Sequence, residues 1–255
     1  MIQSNWDTLI KNALIFDGTG VNAVTGDIAL QDGKIVARGV DMDPRLANQV
    51  IDATGKWLTP GLLDVHTHYD LEVELAPGLA ESVRHGTTTV VVANCSLGLA
   101  FGALRENNQD PIVDCFARVE NIPKPVLKRI ADQVSWNSSD QYLAHLDTLN
   151  LGPNIVPMIP YSMLRIAVMG VTPSVTRAPT DAELERMESL LEKGMKEGYA
   201  GFSSDSLPFH YLSNDPNREY RIPSQYGSFA EIKRLTNVVR QWGRIWQATP
   251  PIESP

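Results

Sequence analysis

Short apolar runs alternate with turn-forming residues along the first 60 positions of the chain. The apolar runs lie at 8–10, 13–16, 27–30, 34–37 and 50–52. Asp32-Gly33 separates two of these runs, and this dipeptide suits a two-residue turn because both central positions need a positive φ. The step Pro60-Gly61 then marks a boundary. We therefore predict an N-terminal domain over 1–60, built as a small antiparallel β layer or β-sandwich.

The pattern changes after residue 61, where strand-like and helix-like segments alternate. Strands are predicted at 62–65, 87–92, 154–159, 200–204 and 244–248, and the run at 87–92 is dense in β-branched residues, which fit a pleated surface. Helices are predicted at 78–85, 139–149, 180–198 and 228–243. Such alternation is typical of βαβ units around a parallel sheet. Residues 61–255 are therefore predicted to form a second domain of the α/β class.

Two of these helices carry signals for their first turn. Thr180 with Glu183, and Ser228 with Glu231, each match a capping box, in which both side chains satisfy backbone N–H groups at the helix start. The segment 96–137 is interpreted differently, as an extended loop with short helical turns, because prolines interrupt it. These prolines are Pro111, Pro123 and Pro125.

Composition and charge narrow the classes of function. Hydrophobic residues make up 43% and charged residues 20% of the 255 positions, as is ordinary for a globular protein. The net charge of -8 argues against sequence-independent nucleic-acid binding, which relies on Lys and Arg contacts to phosphate. No apolar run is long enough to cross a bilayer, and the first residues do not resemble a secretory signal. Because Cys95 and Cys115 alone cannot make a disulfide framework, we expect a cytoplasmic protein with reduced thiols, and a homo-oligomer is left open.

The segment 64–68, Asp-Val-His-Thr-His, is the most informative for chemistry. Side chains at positions i and i+2 of a strand point to the same face, so His66 and His68 are expected to project together. Two neighbouring imidazoles can bind one metal ion. A chance pair of structural histidines is the alternative. The position of the pair, at the end of an apolar strand just after a Pro-Gly boundary, favours the metal site.

Two motifs together resemble a known family. Segments 60–68 (PGLLDVHTH) and 86–95 (GTTTVVVANC) are similar to strand signatures of the amidohydrolase superfamily, in its D-aminoacylase branch of N-acyl-D-amino-acid deacylases. The stretches 162–170 and 201–204 fit the same branch. The resemblance implies a metal-dependent (β/α)8 TIM-type barrel, of which about five strands fall within this chain. It also implies a small β-sandwich formed in part by the preceding N-terminal strands.

Cys95 ends the second strand of that expected barrel. A lone thiol is usually a small buried hydrophobic group, and a reactive nucleophile would need a partner that stabilises its thiolate. A ligand role is favoured because active sites of such barrels lie at the carboxyl ends of the strands, where His66 and His68 also lie. In the resembled branch this cysteine binds or bridges the metal. The predicted ligands are therefore His66, His68 and Cys95, for one or two ions of Zn2+ or another divalent metal.

Two further residues are candidate substrate contacts. Arg165 comes just after the third strand, and its guanidinium could pair with a substrate carboxylate; a solvent-facing helix arginine is the alternative. His210 lies in the loop after the fourth strand, on the active-site side of a barrel. A surface-loop histidine is the alternative for this residue.

The activity implied by the resemblance is hydrolysis of the C–N amide bond in a small-molecule N-acyl amino acid. Relatives in the branch carry further histidine ligands after the fifth and sixth strands and a catalytic aspartate after the eighth, whereas 244–250 contain no histidine. We therefore expect 1–255 to be an N-terminal portion, with the general-base aspartate beyond residue 255. The alternative from another class is a catalytically inert fragment or metal-less homologue that acts as a binding or assembly module. A cyclic-amide hydrolase of the hydantoinase type is a third candidate, against which Cys95 weighs.

Overall fold

The computed structural model describes residues 6–102 and 110–250, and the chain divides into two compact units, 1–61 and 62–255. The first unit holds one β-sheet with the strands β1 (Trp6–Ile15), β2 (Val24–Gln31), β3 (Lys34–Gly39), β4 (Ala47–Asp52) and β5 (Trp57–Leu58). The strand order is β3-β2-β1-β4, and β5 also pairs with β1. β1 runs antiparallel to β2 but parallel to β4 and β5, so the prediction of an antiparallel layer is wrong in this respect. β3 is antiparallel to β2 and so already runs in the direction of β1, and the chain crosses over between β3 and β4 without changing this direction.

Two backbone features shape this first sheet. The predicted turn at Asp32-Gly33 is confirmed, because both residues have a positive φ, of 50° and 71°, between β2 and β3. The two apolar runs that the sequence separates are one strand, β1, with a register shift between Ile10 and Ala13. Asn12, in the left-handed region at φ 61°, lies within this bulge. A short polar interruption in an apolar pattern therefore marks a bulge here, and not a strand end.

Short parallel strands build the sheets of the second unit. They are β6 (Leu62–Asp64), β7 (Thr87–Val92), β8 (Asn154–Pro157), β9 (Ile159–Pro160), β10 (Gly201–Ser204) and β11 (Ile245–Ala248). They form two three-stranded sheets, β6-β7-β8 and β11-β10-β9, and every pairing is parallel, as predicted. The predicted third strand over 154–159 is two strands, because the chain passes at Met158 from pairing with β7 to pairing with β10.

Helices connect these strands. They are α1 (Asp70–Leu75), α2 (Ala80–Arg84), α3 (Pro111–Val119), α4 (Lys124–Ala131), α5 (Ser139–Leu146), α6 (Tyr161–Met169), α7 (Val171–Thr176), α8 (Asp181–Glu197) and α9 (Phe229–Gln241). The apolar faces of these helices, α2 excepted, share one core with β7, β9 and β10, and representative members are Val90, Phe116, Leu127, Ile159, Leu191, Phe202 and Leu235. Within 6–102 and 110–250, no helix is both long and apolar enough to cross a membrane.

The first turns of α8 and α9 test the two predicted capping boxes. At α8 the box is complete: Thr180 Oγ1 accepts the Glu183 N–H at 3.2 Å, and Glu183 Oε2 accepts the Thr180 N–H at 2.8 Å. At α9 only half forms, because Ser228 Oγ accepts the Glu231 N–H at 3.2 Å. The Glu231 carboxylate turns into the core instead, so the second box is wrong in its reciprocal part.

The prediction of an extended loop over 96–137 is wrong at 111–119 and 124–131, where the chain forms α3 and α4. Pro111 and Pro125 occupy the first turns of these helices, where a backbone N–H has no acceptor within the helix, so neither proline interrupts it. The Asp110 carboxylate caps α3 by accepting two backbone N–H bonds. Residues 103–109, which belong to the same prediction, lie outside the described residues.

Candidate metal centre

Two histidines lie in the segment that joins β6 to α1. They follow the strand and are not part of it, because β6 ends at Asp64. Thr67 between them is tied to β7, since both its hydroxyl and its N–H donate to Val91 O, at 2.7 and 3.3 Å. The ring centroids of His66 and His68 are 5.3 Å apart. The two imidazoles therefore lie side by side, as their spacing predicted. They do so in the segment after β6, and not within the strand itself.

Cys95 lies in a tight turn directly after β7. Its backbone is in the left-handed region at φ 50°, and so are those of Ala93 at 65° and Ser96 at 63°. Residues with a Cβ seldom adopt this conformation, because the side chain approaches the backbone closely. Such a turn persists only where its surroundings hold it in place, which directs attention to its hydrogen bonds.

Hydrogen bonds to the neighbouring segments hold this turn, through one side chain of its own and two from other strands. Asn94 Nδ2 donates to the carbonyl oxygens of Thr67 and Val91, both at 3.0 Å. The Ser203 hydroxyl on β10 donates to the Ala93 carbonyl. Gln247 Oε1 on β11 accepts the Cys95 N–H at 3.2 Å. Contacts with β7, β10 and β11 thus fix the position of the thiol.

His66, His68 and Cys95 form a compact group of metal-ligand atoms. One ligand atom from each lies within 4.8 Å of the others, and Cys95 Sγ is 3.3 Å from His66 Nε2. Tetrahedral zinc, with Zn–N of about 2.0–2.1 Å and Zn–S of about 2.3 Å, sets bonded N and S atoms about 3.5 Å apart. Two imidazoles and a thiolate are also the donor types that zinc prefers. The residues therefore fit a zinc ion in both spacing and chemistry.

Burial and neighbouring charges shift the protonation of two of these residues. Burial lowers the pKa of His68 to about 4, with a further contribution from the charge of His66. Burial also raises the pKa of the Cys95 thiol to about 12, and the carboxylates of Asp205 and Glu120 add to this effect. A divalent cation beside the thiol acts in the opposite direction, since it stabilises the thiolate. The surroundings thus keep His68 neutral, ready to donate its lone pair to a metal.

Three carboxylates that the sequence analysis did not single out surround the group. Glu120 Oε1 lies 3.3 Å from His68 Nδ1. Asp70 is fully buried, accepts the Ala93 N–H at 3.2 Å, and has its pKa raised to about 7 by burial. Asp205 directly follows β10, and this position at a strand end is the signal that could have identified it. Glu120 was missed because its helix was not predicted, although Asp110-Pro111 is a helix-start signal.

His210 is buried, so the alternative of a surface-loop histidine is wrong. Its Nδ1 lies 3.1 Å from Asp205 Oδ2. The Asp205 carboxylate is itself held by Thr249 Oγ1 and Gln225 Nε2, each donating at 3.1 Å, and by a backbone N–H. Gln247 and Thr249 are two positions apart at the end of β11, and one contacts the Cys95 turn while the other contacts Asp205. The Asp205–His210 pair therefore lies at the same end of the strands as Cys95.

Arg165 has a different environment from the one expected. Its side chain on α6 is completely buried, so the alternative of a solvent-facing arginine is wrong. Its guanidinium donates to Glu231 Oε1 and, at 3.0 Å, to Ser174 O. Its charge is therefore compensated inside the fold, and a substrate carboxylate has no access to it in this structure.

A cavity of about 710 Å³ adjoins the histidine–cysteine group. His66, Thr89 and Gln247 contribute polar groups to its wall, and the other lining residues lie in β6, β7, β8 and β11 or next to a strand, as Ala200 lies next to β10. A cavity with mostly apolar walls and a few polar groups is typical of small-molecule sites.

Parallel strands with two histidines and a cysteine after their carboxyl ends define an α/β protein with a candidate metal centre. The chain belongs to the amidohydrolase family, whose family model matches residues 49–230. It is 39% identical, over 98% of its length and 41% of the relative, to an uncharacterized protein of Mycobacterium tuberculosis. It is 35% identical to N-acyl-D-aspartate deacylase of Alcaligenes xylosoxydans xylosoxydans, over 79% of this chain and 37% of that enzyme.

Solved structures give a consistent result. N-acyl-D-glutamate deacylase from Bordetella bronchiseptica, complexed with zinc and a phosphonate inhibitor, matches with a TM-score of 0.74 and 28% identity, over 95% of this chain and 44% of that one. D-aminoacylase, described with a binuclear metal center, matches with a TM-score of 0.70 and 25% identity, over 94% and 44%. The resemblance to this branch is thereby confirmed, and the chain spans well under half the length of each relative.

Proposed function

We propose that this chain carries the metal centre of a hydrolase that cleaves the C–N amide bond of small N-acyl-D-amino acids. The observation that carries the proposal is the group of His66, His68 and Cys95, with ligand atoms within 4.8 Å of one another. Its similarity to deacylases of D-aspartate and D-glutamate derivatives supports the substrate class. The free, buried cysteines are consistent with the cytoplasmic location that we include in the proposal.

The proposed architecture is a (β/α)8 barrel to which the domain 61–255 contributes strands, preceded by a domain 1–60 that belongs to a small β-sandwich. The two parallel sheets of the second unit, which follow one another along the chain through Met158, support the barrel. In such barrels the loops after the strands build the active site. The positions of His66, Cys95 and Asp205 after β6, β7 and β10 agree with this arrangement.

The proposed mechanism assigns each residue a separate task. His66, His68 and Cys95 would hold a divalent ion, which when bound polarises a carbonyl oxygen and acidifies water. Gln247 fixes the Cys95 backbone through its N–H. His210 is proposed as a substrate contact: Asp205 faces its Nδ1, which leaves the other ring nitrogen for a hydrogen bond to the substrate. A general base is expected from an aspartate outside residues 1–255.

The metal content of residues 1–255, together with deacylase assays, tests the proposal. We expect one or two zinc ions per chain, and loss of zinc in His66→Ala and Cys95→Ala. His85→Ala is the matched control, because His85 is an exposed histidine at the end of α2 and should leave the zinc content unchanged. Release of amino acid from N-acetyl-D-glutamate or N-acetyl-D-aspartate, but not from the L-isomers, is expected of a polypeptide that also carries the general-base aspartate. Zinc loading without turnover in such a polypeptide would favour the binding-module alternative, and residues 1–255 that bind no zinc would contradict the metal centre.

A further inference from the structure

Glu120 is placed against a metal-centre histidine by the end of α3. It is the C-cap residue of this helix, and its Oε1 lies 3.3 Å from His68 Nδ1. Both side chains are largely withdrawn from solvent, at 20% exposure for Glu120 and 25% for His68. His68 Nδ1 is buried, and among the described residues it makes no hydrogen bond of good geometry. A small rotation would let Glu120 Oε1 accept a hydrogen bond from this nitrogen.

Glu120 contacts a ligand without joining the ligand group. Among the described residues, the metal-capable group consists of His66, His68 and Cys95, and the Glu120 carboxylate is not part of it. An imidazole that binds a metal through one nitrogen commonly donates its other N–H to a carboxylate, which fixes both the tautomer and the ring orientation. The contact between Glu120 and Nδ1 has this arrangement.

A purely structural role explains the position of Glu120 poorly. The carboxyl end of a helix carries the negative end of the helix dipole, so a carboxylate at the C-cap of α3 is repelled by it. In the part of the chain that the structure describes, His68 is the basic side chain within ion-pair distance of this carboxylate. The fold thus keeps an acidic group in a half-buried place that is electrostatically unfavourable, and this group faces a histidine.

We propose that Glu120 is a positioning residue for His68, which accepts the Nδ1–H and thereby presents Nε2 to the metal. This inference rests on the proposed metal centre. It adds to that centre a residue from α3, a helix that carries none of the three metal ligands. Glu120 acts through His68, so its contribution to metal binding should vanish when His68 is absent.

A double-mutant cycle on zinc affinity tests this dependence. The zinc dissociation constant of residues 1–255 is measured by competition with a chromophoric chelator for wild type, Glu120→Ala, His68→Ala and the double variant. We expect Glu120→Ala to weaken zinc binding by about 10–100-fold, and to cause no further loss in the His68→Ala background. Glu72→Ala, at an exposed position of α1, is the matched control and should leave the affinity unchanged.

Two additional measurements separate positioning from loss of structure. Glu120→Gln keeps the size of the side chain and a carbonyl acceptor, so it should retain most of the affinity and decides the question if Glu120→Ala does not fold. Cobalt substitution should still show thiolate-to-metal charge transfer in both variants, because Cys95 stays in place. Wild-type affinity in Glu120→Ala, or an equal loss with and without His68, would overturn the inference alone. A wild-type chain that binds no zinc would overturn the proposed function with it.

Discussion

The buried ion pair between Arg165 and Glu231 should be the most sensitive polar contact of the second unit. Glu231 Oε1 accepts from Arg165 and from the Tyr161 hydroxyl, the latter at 2.6 Å. Both charged side chains are almost fully buried, at 0% and 3% exposure. Glu231→Ala would leave the guanidinium inside the fold with the Ser174 carbonyl as its remaining acceptor. Removing one partner of a buried pair typically costs about 3–5 kcal/mol, because the other charge remains desolvated.

The surface pair between Arg234 and Glu188 provides an internal comparison. It links α9 to α8 with two short hydrogen bonds, at 2.8 and 2.6 Å, but its side chains are 41% and 25% exposed. Solvent screens such a pair, so Glu188→Ala should cost about 0–1 kcal/mol. Both variants are compared with wild type by urea unfolding, followed by circular dichroism.

A third variant separates charge burial from packing. The double substitution Arg165→Met with Glu231→Leu removes both charges at similar volume, and it should be markedly more stable than Glu231→Ala. The reasoning is refuted if Glu231→Ala loses no more stability than Glu188→Ala, since the guanidinium would then find compensation that the structure does not contain.

Two other outcomes follow from local geometry. Burial raises the pKa of Cys95 to about 12, so this thiol is protonated at pH 8 and must lose its proton when it binds zinc, and raising the pH should strengthen binding. Calorimetry of the wild-type chain at pH 8, in buffers of different ionisation enthalpy, should therefore count about one proton released per zinc ion bound, and binding without proton release would contradict the thiolate ligand. A Cβ at Gly201 would lie 1.9 Å from Ile245 O, so Gly201→Ala should push β10 and β11 apart and cost about 1–3 kcal/mol. Gly78→Ala, where a Cβ meets nothing within 4 Å, should stay within about 0.5 kcal/mol of wild type in the same urea titration, and similar losses in both would argue against the clash.

Local signals in the sequence were enough to predict many of the strands and helices that position the site. The apolar run before His66, the β-branched run before Cys95 and the capping residue Thr180 each act within a few positions of the chain. Interactions over such short distances depend little on the rest of the fold. The parallel pairing and the juxtaposition of the two imidazoles could be predicted for this reason.

The remaining features depend on residues far apart in the chain. Glu231 was expected to complete a capping box, but its carboxylate pairs with Arg165, 66 positions away. Glu120 reaches the site through α3, whose first residue, Pro111, was interpreted as a helix breaker although proline is well suited to that position. The pair Asp110-Pro111 is itself a helix-start signal, so this error was avoidable. The partner of Glu231 was not predictable, because nothing near it in sequence identifies Arg165.

Backbone strain in the turn that carries Cys95 affects how this part of the fold opens locally. Three residues with side chains, Ala93, Cys95 and Ser96, occupy the left-handed region there, at a cost of the order of 1–3 kcal/mol each. This is a substantial part of the about 5–15 kcal/mol that typically separates folded from unfolded domains. Because β10 and β11 hold the turn through Ser203 and Gln247, the strain can be released only when those contacts separate. Amide hydrogen exchange of the turn should therefore follow the opening of these strands and not the independent motion of a loop.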